Sequence, residues 1–373
     1  MTTTDRQRPA GSPEADLETA YWLAISRVPY IGPARIERLL KRFGSLSVAW
    51  SAPREDLRVA LEPRSLSELL AARTRIDPAV ELERLARSGV RAVHPGHPSY
   101  PRLLAEISGR PSVLYVRGEL APADDRSVAI VGTRRATPYG RQAAERIAAE
   151  LAQAGVTVVS GLARGVDAAA HRATLEAGGR TIAVLGSGLD VIYPAEHRRL
   201  AEQILESGAI LSELPLGAKP DAQNFPARNR IVSGMTLGTL IVEAPVRSGA
   251  LITASFAGDQ GREVFVLPGS IFAQTSEGTN ALLRDGARLV RDGADILEDL
   301  GLAGGSGPVP TQSQLSLDEN ERRLLAALGK EARHIDELAE EVELPAAAVS
   351  ALMLTMELKG LVRNHGAQYY VLR

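Results

Sequence analysis

Ser127-Val128-Ala129-Ile130-Val131-Gly132-Thr133-Arg134-Arg135-Ala136-Thr137-Pro138-Tyr139-Gly140 is the stretch whose reading decides the fold. A mostly β-branched run ends in a glycine turn carrying two arginines. A helical pattern follows over residues 141–154, with Ala144, Ile147, Ala148 and Leu151 on one face. A second apolar run, Val156-Thr157-Val158-Val159, ends in Ser160-Gly161-Leu162-Ala163-Arg164-Gly165-Val166-Asp167 and leads through Ala170-His171 into another helix. Strand, turn, helix, strand, turn, helix is a βαβ unit, whose strands are parallel. In an open parallel sheet, ligands bind outside the carboxyl ends of the strands, beside helix N-termini whose free N–H groups suit anions. Arginine in both turns makes a phosphate-bearing ligand the economical reading.

The alternation continues outward. Residues 181–185, 209–213, 239–243 and 263–267 read as strands, 287–290 as a short last one, and 193–207, 227–235, 250–260 and 279–285 as the helices between them. Residues 91–300 are therefore predicted to form an extended Rossmann-like, doubly wound α/β domain with a mostly parallel sheet.

The flanks differ in character. Residues 1–16 read as a disordered tail without the apolar stretch of a signal peptide. Residues 17–90 read as a helical, helix-hairpin-helix (SAM-like) domain. Gly32 makes its turn and Pro33 opens the next helix, where a missing N–H costs nothing. Tyr30 stands where such modules usually carry a first glycine. Arg35, Arg38, Lys41 and Arg42 either serve DNA or form a solvated face. His94 and His97 flank Pro95-Gly96 and read as a turn, with no third ligand nearby to suggest a metal. Residues 301–316, rich in Gly, Ser and Pro, read as a linker. Residues 317–373 follow as three helices and two short strands, a winged-helix pattern. Its third helix is apolar and its Asp and Glu outnumber its Lys and Arg, so it reads as a protein-contact module and a poor phosphate binder.

Composition narrows the classes. The chain has 373 residues, 45% of them hydrophobic, a formal net charge of −2 and no cysteine. Disulfides, thiolate metal sites and cysteine nucleophiles are excluded, and a nucleic-acid site must be a local basic surface. No run approaches the roughly 18 apolar residues of a membrane helix, so a soluble, cytoplasmic protein without a membrane partner is expected. No Gly-x-x-x-x-Gly-Lys-Ser/Thr occurs. Gly186-Ser187-Gly188 lacks the third glycine of a dinucleotide fingerprint.

Projected onto one rim, the strand ends collect Gly132, Thr133, Arg134 and Arg135 from the first turn and Ser160, Gly161 and Arg164 from the second. Lys219, Phe225, Arg228, Asn229 and Arg230 come from the fifth-helix segment, and Arg247, Ser248 and Gly249 from the loop after residue 243. Arginines for backbone phosphate plus an aromatic platform point to single-stranded nucleic acid. The alternative is that these arginines pair with Asp167, Glu213 and Glu243 and that Phe225 is core. Glu213 and Glu243 are the one credible acid/base pair, and they support a second reading as a hydrolase of nucleoside monophosphates.

Ile130-Val131-Gly132-Thr133-Arg134, Ser160-Gly161-Leu162-Ala163-Arg164-Gly165-Val166-Asp167, Ala227-Arg228-Asn229-Arg230, Ser248-Gly249 and Glu277-Gly278-Thr279-Asn280, in that order, resemble the DNA-processing protein A (DprA/Smf) family over residues 100–290. The resemblance implies a Rossmann-like core that binds single-stranded DNA as a homodimer. It further implies protection of incoming strands during natural transformation and loading of the recombinase RecA, with no catalysis, cofactor or metal. By motif match, Arg134, Arg164, Phe225 and Arg228-Asn229-Arg230 line the DNA groove. Some members carry a lysine three residues before the aromatic; here that position is Ala222, and Lys219 is the nearby substitute.

Overall fold

The strands read from the sequence lie in one open sheet of nine strands, together with Arg91–Val93 and Leu114–Gly118 at one edge. The computed structural model describes residues 13–302, 319–328, 333–342, 344–358, 361–364 and 368–372. The chain divides into two compact units, Met1–Val309 and Pro310–Arg373.

The first unit begins with helices α1 (Pro13–Ser26), α2 (Pro33–Phe43), α3 (Leu46–Ser51), α4 (Arg54–Leu57), α5 (Pro63–Arg73) and α6 (Pro78–Arg87). Gly32 is the N-cap of α2 and Pro33 its first residue, as its sequence dictates. Of the stretch expected as a tail over 1–16, residues 13–16 belong to α1, which Pro13 opens. Residues 1–12 lie outside the described residues. Trp22, Ile36, Leu39 and Leu69 pack into a core that continues to Leu185, Leu189 and Ile204, so these helices and the sheet share one interior.

The sheet region runs β1 (Arg91–Val93), α7 (Arg102–Glu106), β2 (Leu114–Gly118), β3 (Ser127–Val131), α8 (Pro138–Gln153), β4 (Thr157–Ser160), α9 (Val166–Glu176), β5 (Thr181–Leu185) and α10 (Arg198–Ser207). It continues with β6 (Ala209–Ser212), α11 (Asn224–Gly234), β7 (Gly238–Ile241), α12 (Gly249–Asp259), β8 (Glu263–Val266), α13 (Glu277–Arg284), β9 (Arg288–Leu289) and α14 (Gly293–Asp299). The strand order is β1-β2-β6-β5-β4-β3-β7-β8-β9. From β6 to β9 every pairing is parallel, while β2 lies antiparallel on β6 and β1 antiparallel on β2. Every residue of β3 to β7 is buried, which explains their continuous apolar runs under helices on both faces.

The winding sets the site. From β3 the chain steps through β4, β5 and β6 to one side, then returns to place β7 on the other side of β3. Connections after β3 and β7 therefore leave in opposite directions, and a crevice opens between their carboxyl ends. Two helix starts differ from the expectation. The helix predicted from residue 193 begins at Arg198, because the proline at 194 steers Tyr193 away from helical dihedrals. Helix α11 begins at Asn224 rather than 227, with Pro226 in its first turn, where proline is tolerated.

The second unit contains α15 (Glu319–Ala327), β10 (Arg333–His334), α16 (Ile335–Glu341), α17 (Ala346–Leu358), β11 (Val362–Asn364) and β12 (Tyr369–Leu372). Strand β10, not expected from the sequence, pairs with β12 and completes the sheet β10-β12-β11 of a winged helix. Leu324, Leu338, Val349, Met353 and Val362 form its core. Most of the linker expected over 301–316 lies outside the described residues.

Candidate nucleic-acid interface

A cleft of about 690 Å³ occupies the crevice between β3 and β7. Its walls are the turn Gly132-Thr133-Arg134-Arg135 after β3, the segment leading into α11, and the loop into α12. Backbone hydrogen bonds tie these pieces together. Thr133 N donates to the Glu243 carbonyl at 2.8 Å, and Val166 N donates to the Thr133 carbonyl at 3.3 Å. Ser248 caps α12 through Ala250 N, and Asn229 Nδ2 donates to Gly249 O at 3.2 Å, joining α11 to α12. Asn229, Ser248 and Gly249 thus shape the wall as well as forming it.

Arg228 holds an unusual position. It lines the cleft yet is only 8% exposed, and its Nε is buried without a hydrogen-bond partner among the described residues. Burial pulls its pKa down to about 10, opposed by the nearby Asp167 carboxylate. Asp167 is buried too, which raises its pKa, and it accepts from Gly161 N at 3.0 Å and Ala163 N at 3.3 Å. Gly161 makes the room: a Cβ there would fall 1.7 Å from Arg228 Nη1, so the guanidinium needs a bare backbone beside it. A poorly hydrated cation at the lining of an open cleft favours an anion beside it.

Around it, Arg134, Arg135 and Arg247 are exposed on the walls and make no ion pair among the described residues. The Arg134 guanidinium carbon lies 5.4 Å from the Phe225 ring centroid. Phe225 is half-buried at the cleft edge. Sequence reasoning missed Tyr193, which also lines the cleft; an aromatic directly before Pro194 was the signal available.

Other expected residues are not brought to the cleft. Ser160 is fully buried and donates to Ile130 O at 2.6 Å. The Gly161 amide is spent on Asp167 rather than left for a phosphate. Arg164 is held by Glu196 through bonds of 2.8 and 2.6 Å, and Arg230 by Glu213 through bonds of 2.7 and 2.8 Å. For these two arginines the pairing alternative describes the structure, with Glu196 in place of Asp167 as the partner of Arg164. Lys219 is exposed and absent from the cleft wall, whereas Ala222 lines it.

Both carboxylates of the hydrolase reading are engaged. Glu243 is buried and accepts from Thr137 N at 2.9 Å and Thr137 Oγ1 at 2.5 Å, capping the start of α8. Glu213 holds Arg230, and neither carboxylate lines the cleft. On the N-terminal helices, Arg35 and Arg38 both bind Glu62, whose pKa they hold down at about 2. His94 stacks on Trp22 with centroids 4.5 Å apart, and its Nδ1 accepts from Gly96 N.

Fold and cleft together define an extended Rossmann-like protein with a ligand crevice at the sheet's switch point and a winged-helix unit at its C-terminal end. Residues 91–301 match the family model of DNA recombination-mediator protein A, and residues 308–368 that of the DprA winged helix domain. The chain belongs to the DprA/Smf family. It is 36% identical to protein Smf of Synechocystis sp. over 95% of this chain and 99% of that protein. The X-ray structure of DNA processing protein A from Streptococcus pneumoniae superposes with a TM-score of 0.67 at 35% identity, covering 76% of this chain and 97% of that one. DNA processing protein A from Helicobacter pylori, whose structure concerns its single-stranded DNA binding mode, gives a TM-score of 0.51 at 32% identity, covering 57% and 95%. Among the described residues, no helix is long and apolar enough to cross a membrane.

Proposed function

We propose that this chain binds single-stranded DNA in the switch-point cleft without catalysing a reaction, protects incoming strands, and loads RecA during natural transformation and recombination. It does so in the cytoplasm as a homodimer formed through the α/β unit. The observation that carries the reading is the set of exposed guanidinium groups of Arg134, Arg135 and Arg247, without an ion pair among the described residues, around buried Arg228, with Phe225 beside them. The arginines take backbone phosphates and Phe225 takes a base, so recognition is nearly independent of sequence and weakens steeply with salt. Family membership and the strand-binding Helicobacter relative support it.

Fluorescence anisotropy with labelled oligo-dT and its duplex counterpart across a salt series tests the reading. Tight, salt-sensitive binding to the single strand, weakened in Arg134→Ala, is expected. No binding at low salt, or a preference for duplex, removes the proposal. RecA assembly on a strand precoated by a competing single-strand binder tests the loading step, and sedimentation tests the dimer. Release of free base from a nucleoside monophosphate, lost in Glu243→Gln, would establish the hydrolase instead.

A further inference from the structure

The loop after β5, Gly186-Ser187-Gly188-Leu189-Asp190-Val191-Ile192-Tyr193, has no part in the reading above, although it carries the glycine pair of a broken dinucleotide fingerprint. Its glycines do other work. A Cβ at Gly186 would come within 2.8 Å of Phe225 Cδ1, so the phenyl ring lies directly on this backbone. At Gly188 it would fall 2.6 Å from Pro215 O and 2.7 Å from Asp190 Oδ1.

The loop is also tied to the segment that delivers Phe225. Gly188 N donates to Ala218 O at 2.9 Å, and the Asp190 carboxylate accepts from Gly217 N at 2.8 and 2.9 Å. Inside the loop, Ser187 Oγ donates to Val191 O at 2.6 Å, and Ser212 Oγ at the end of β6 donates to Ser187 O at 2.7 Å. These bonds fix one geometry, which places the Tyr193 ring 5.6 Å from the Phe225 ring, centroid to centroid, at an interplanar angle of 38°. Tyr193 is 42% exposed and lines the cleft. A large aromatic ring left half in water by a loop so fully hydrogen-bonded has a face available to a ligand.

We propose that Tyr193 is a second base-stacking platform, and that the loop after β5 positions it so that two successive nucleobases of one strand lie on Tyr193 and Phe225. This rests on the strand-binding reading of the cleft. Because the rings are tilted to each other, the two bases are splayed apart. A paired duplex cannot offer its base faces in that way, so the platform selects an unpaired dinucleotide step. Every base has a π-face, so the selection is for single-strandedness and not for sequence.

The test is anisotropy with oligo-dT and with an abasic oligomer of equal length, for wild type, Tyr193→Ala, Tyr193→Leu, Tyr193→Phe and Phe225→Ala. Stacking of one base is worth roughly 1–3 kcal/mol, so Tyr193→Ala and Tyr193→Leu should each weaken dT binding between about fivefold and about a hundredfold. Tyr193→Phe should restore the affinity. The slope of affinity against salt should be the same in every Tyr193 variant, since no phosphate contact is lost. On the abasic oligomer, wild type and Tyr193→Leu should bind alike. If Tyr193→Leu binds dT as wild type does while Phe225→Ala weakens it, the second platform is wrong and the cleft reading stands. If the Tyr193→Leu loss persists on the abasic strand, the residue acts other than by stacking, and the proposal also fails. If Phe225→Ala and Arg134→Ala are both silent, the cleft reading itself falls.

Discussion

The two glycine turns at the head of the sheet look alike in sequence and behave differently in the structure. Each follows a buried strand, precedes a helix and carries arginine. In the turn after β3, Arg134 and Arg135 project on the cleft wall without ion pairs among the described residues. In the turn after β4, Arg164 is held by Glu196, and the Gly161 amide is bonded to Asp167. The first turn leaves its charge exposed on the cleft wall. The second is satisfied from within, and contributes by leaving a bare backbone where Arg228 lies. A glycine turn beside a helix N-terminus is therefore an anion site only when its donors are not already claimed by the protein.

The sharpest way to break this comparison is Gly161→Ala. The added methyl group enters the space of the Arg228 guanidinium, so a residue that donates nothing to the ligand should be among the most sensitive. We expect a loss of about thirtyfold in oligo-dT affinity, the scale of an interface hot spot of ~2 kcal/mol, read by anisotropy beside a circular dichroism check that the fold persists. Arg134→Ala comes next. It should weaken binding about tenfold and flatten the log–log salt slope by about 1, as for a lost phosphate contact. Arg164→Ala should change affinity by less than about threefold, because Arg164 stands off the cleft wall beside Glu196 and its removal loses only an exposed ion pair. Glu196→Gln should strengthen low-salt binding slightly by releasing it. A tenfold loss in Arg164→Ala would show that the ion pair opens for the strand and that the two turns are equivalent after all.

The last effect is on stability, not on binding, and lies beneath the second turn. His171 is wholly buried, its Nδ1 within 2.7 Å of Thr181 Oγ1, and it is faced by His197, Arg228 and Arg172. Burial lowers its pKa from 6.5 to about 3, and that of His94 likewise to about 3. A depressed pKa means the unfolded chain takes up the proton first. The stabilisation is therefore complete above pH 6.5 and is lost progressively as pH falls towards 3. Melting temperatures between pH 7.5 and 4.5 should decline, while NMR shows both imidazoles neutral in the folded protein down to about pH 4.5, well above their depressed pKa values.

Much of the sheet was legible because strands buried on both faces need unbroken apolar runs, and the order of turns then located the rim. Arg134, Arg135, Phe225, Arg228 and Arg247 followed from that projection. What stayed hidden depends on partners distant in sequence. Glu196 reaches Arg164 from a loop whose course the periodicity of α10 obscured, and Glu213 reaches Arg230 across the β6–α11 connection. Glu243 reads as a candidate acid because it ends a strand, and only the approach of α8 shows it to be a cap. Tyr193 was absorbed into a helix that Pro194 delays. Ala222 lines the cleft wall and Lys219 does not, a placement that the spacing of the two residues in sequence does not settle.

The layering of charge in the cleft carries a kinetic consequence. Exposed guanidinium groups steer encounter and are screened by salt, whereas a buried one is screened less and chiefly sets how long a bound partner stays. Arg134, Arg135 and Arg247 should therefore govern how fast a strand is captured, and Arg228 how long it stays. A strand could then be gathered quickly from dilute solution, while its release depends on a single buried guanidinium on α11.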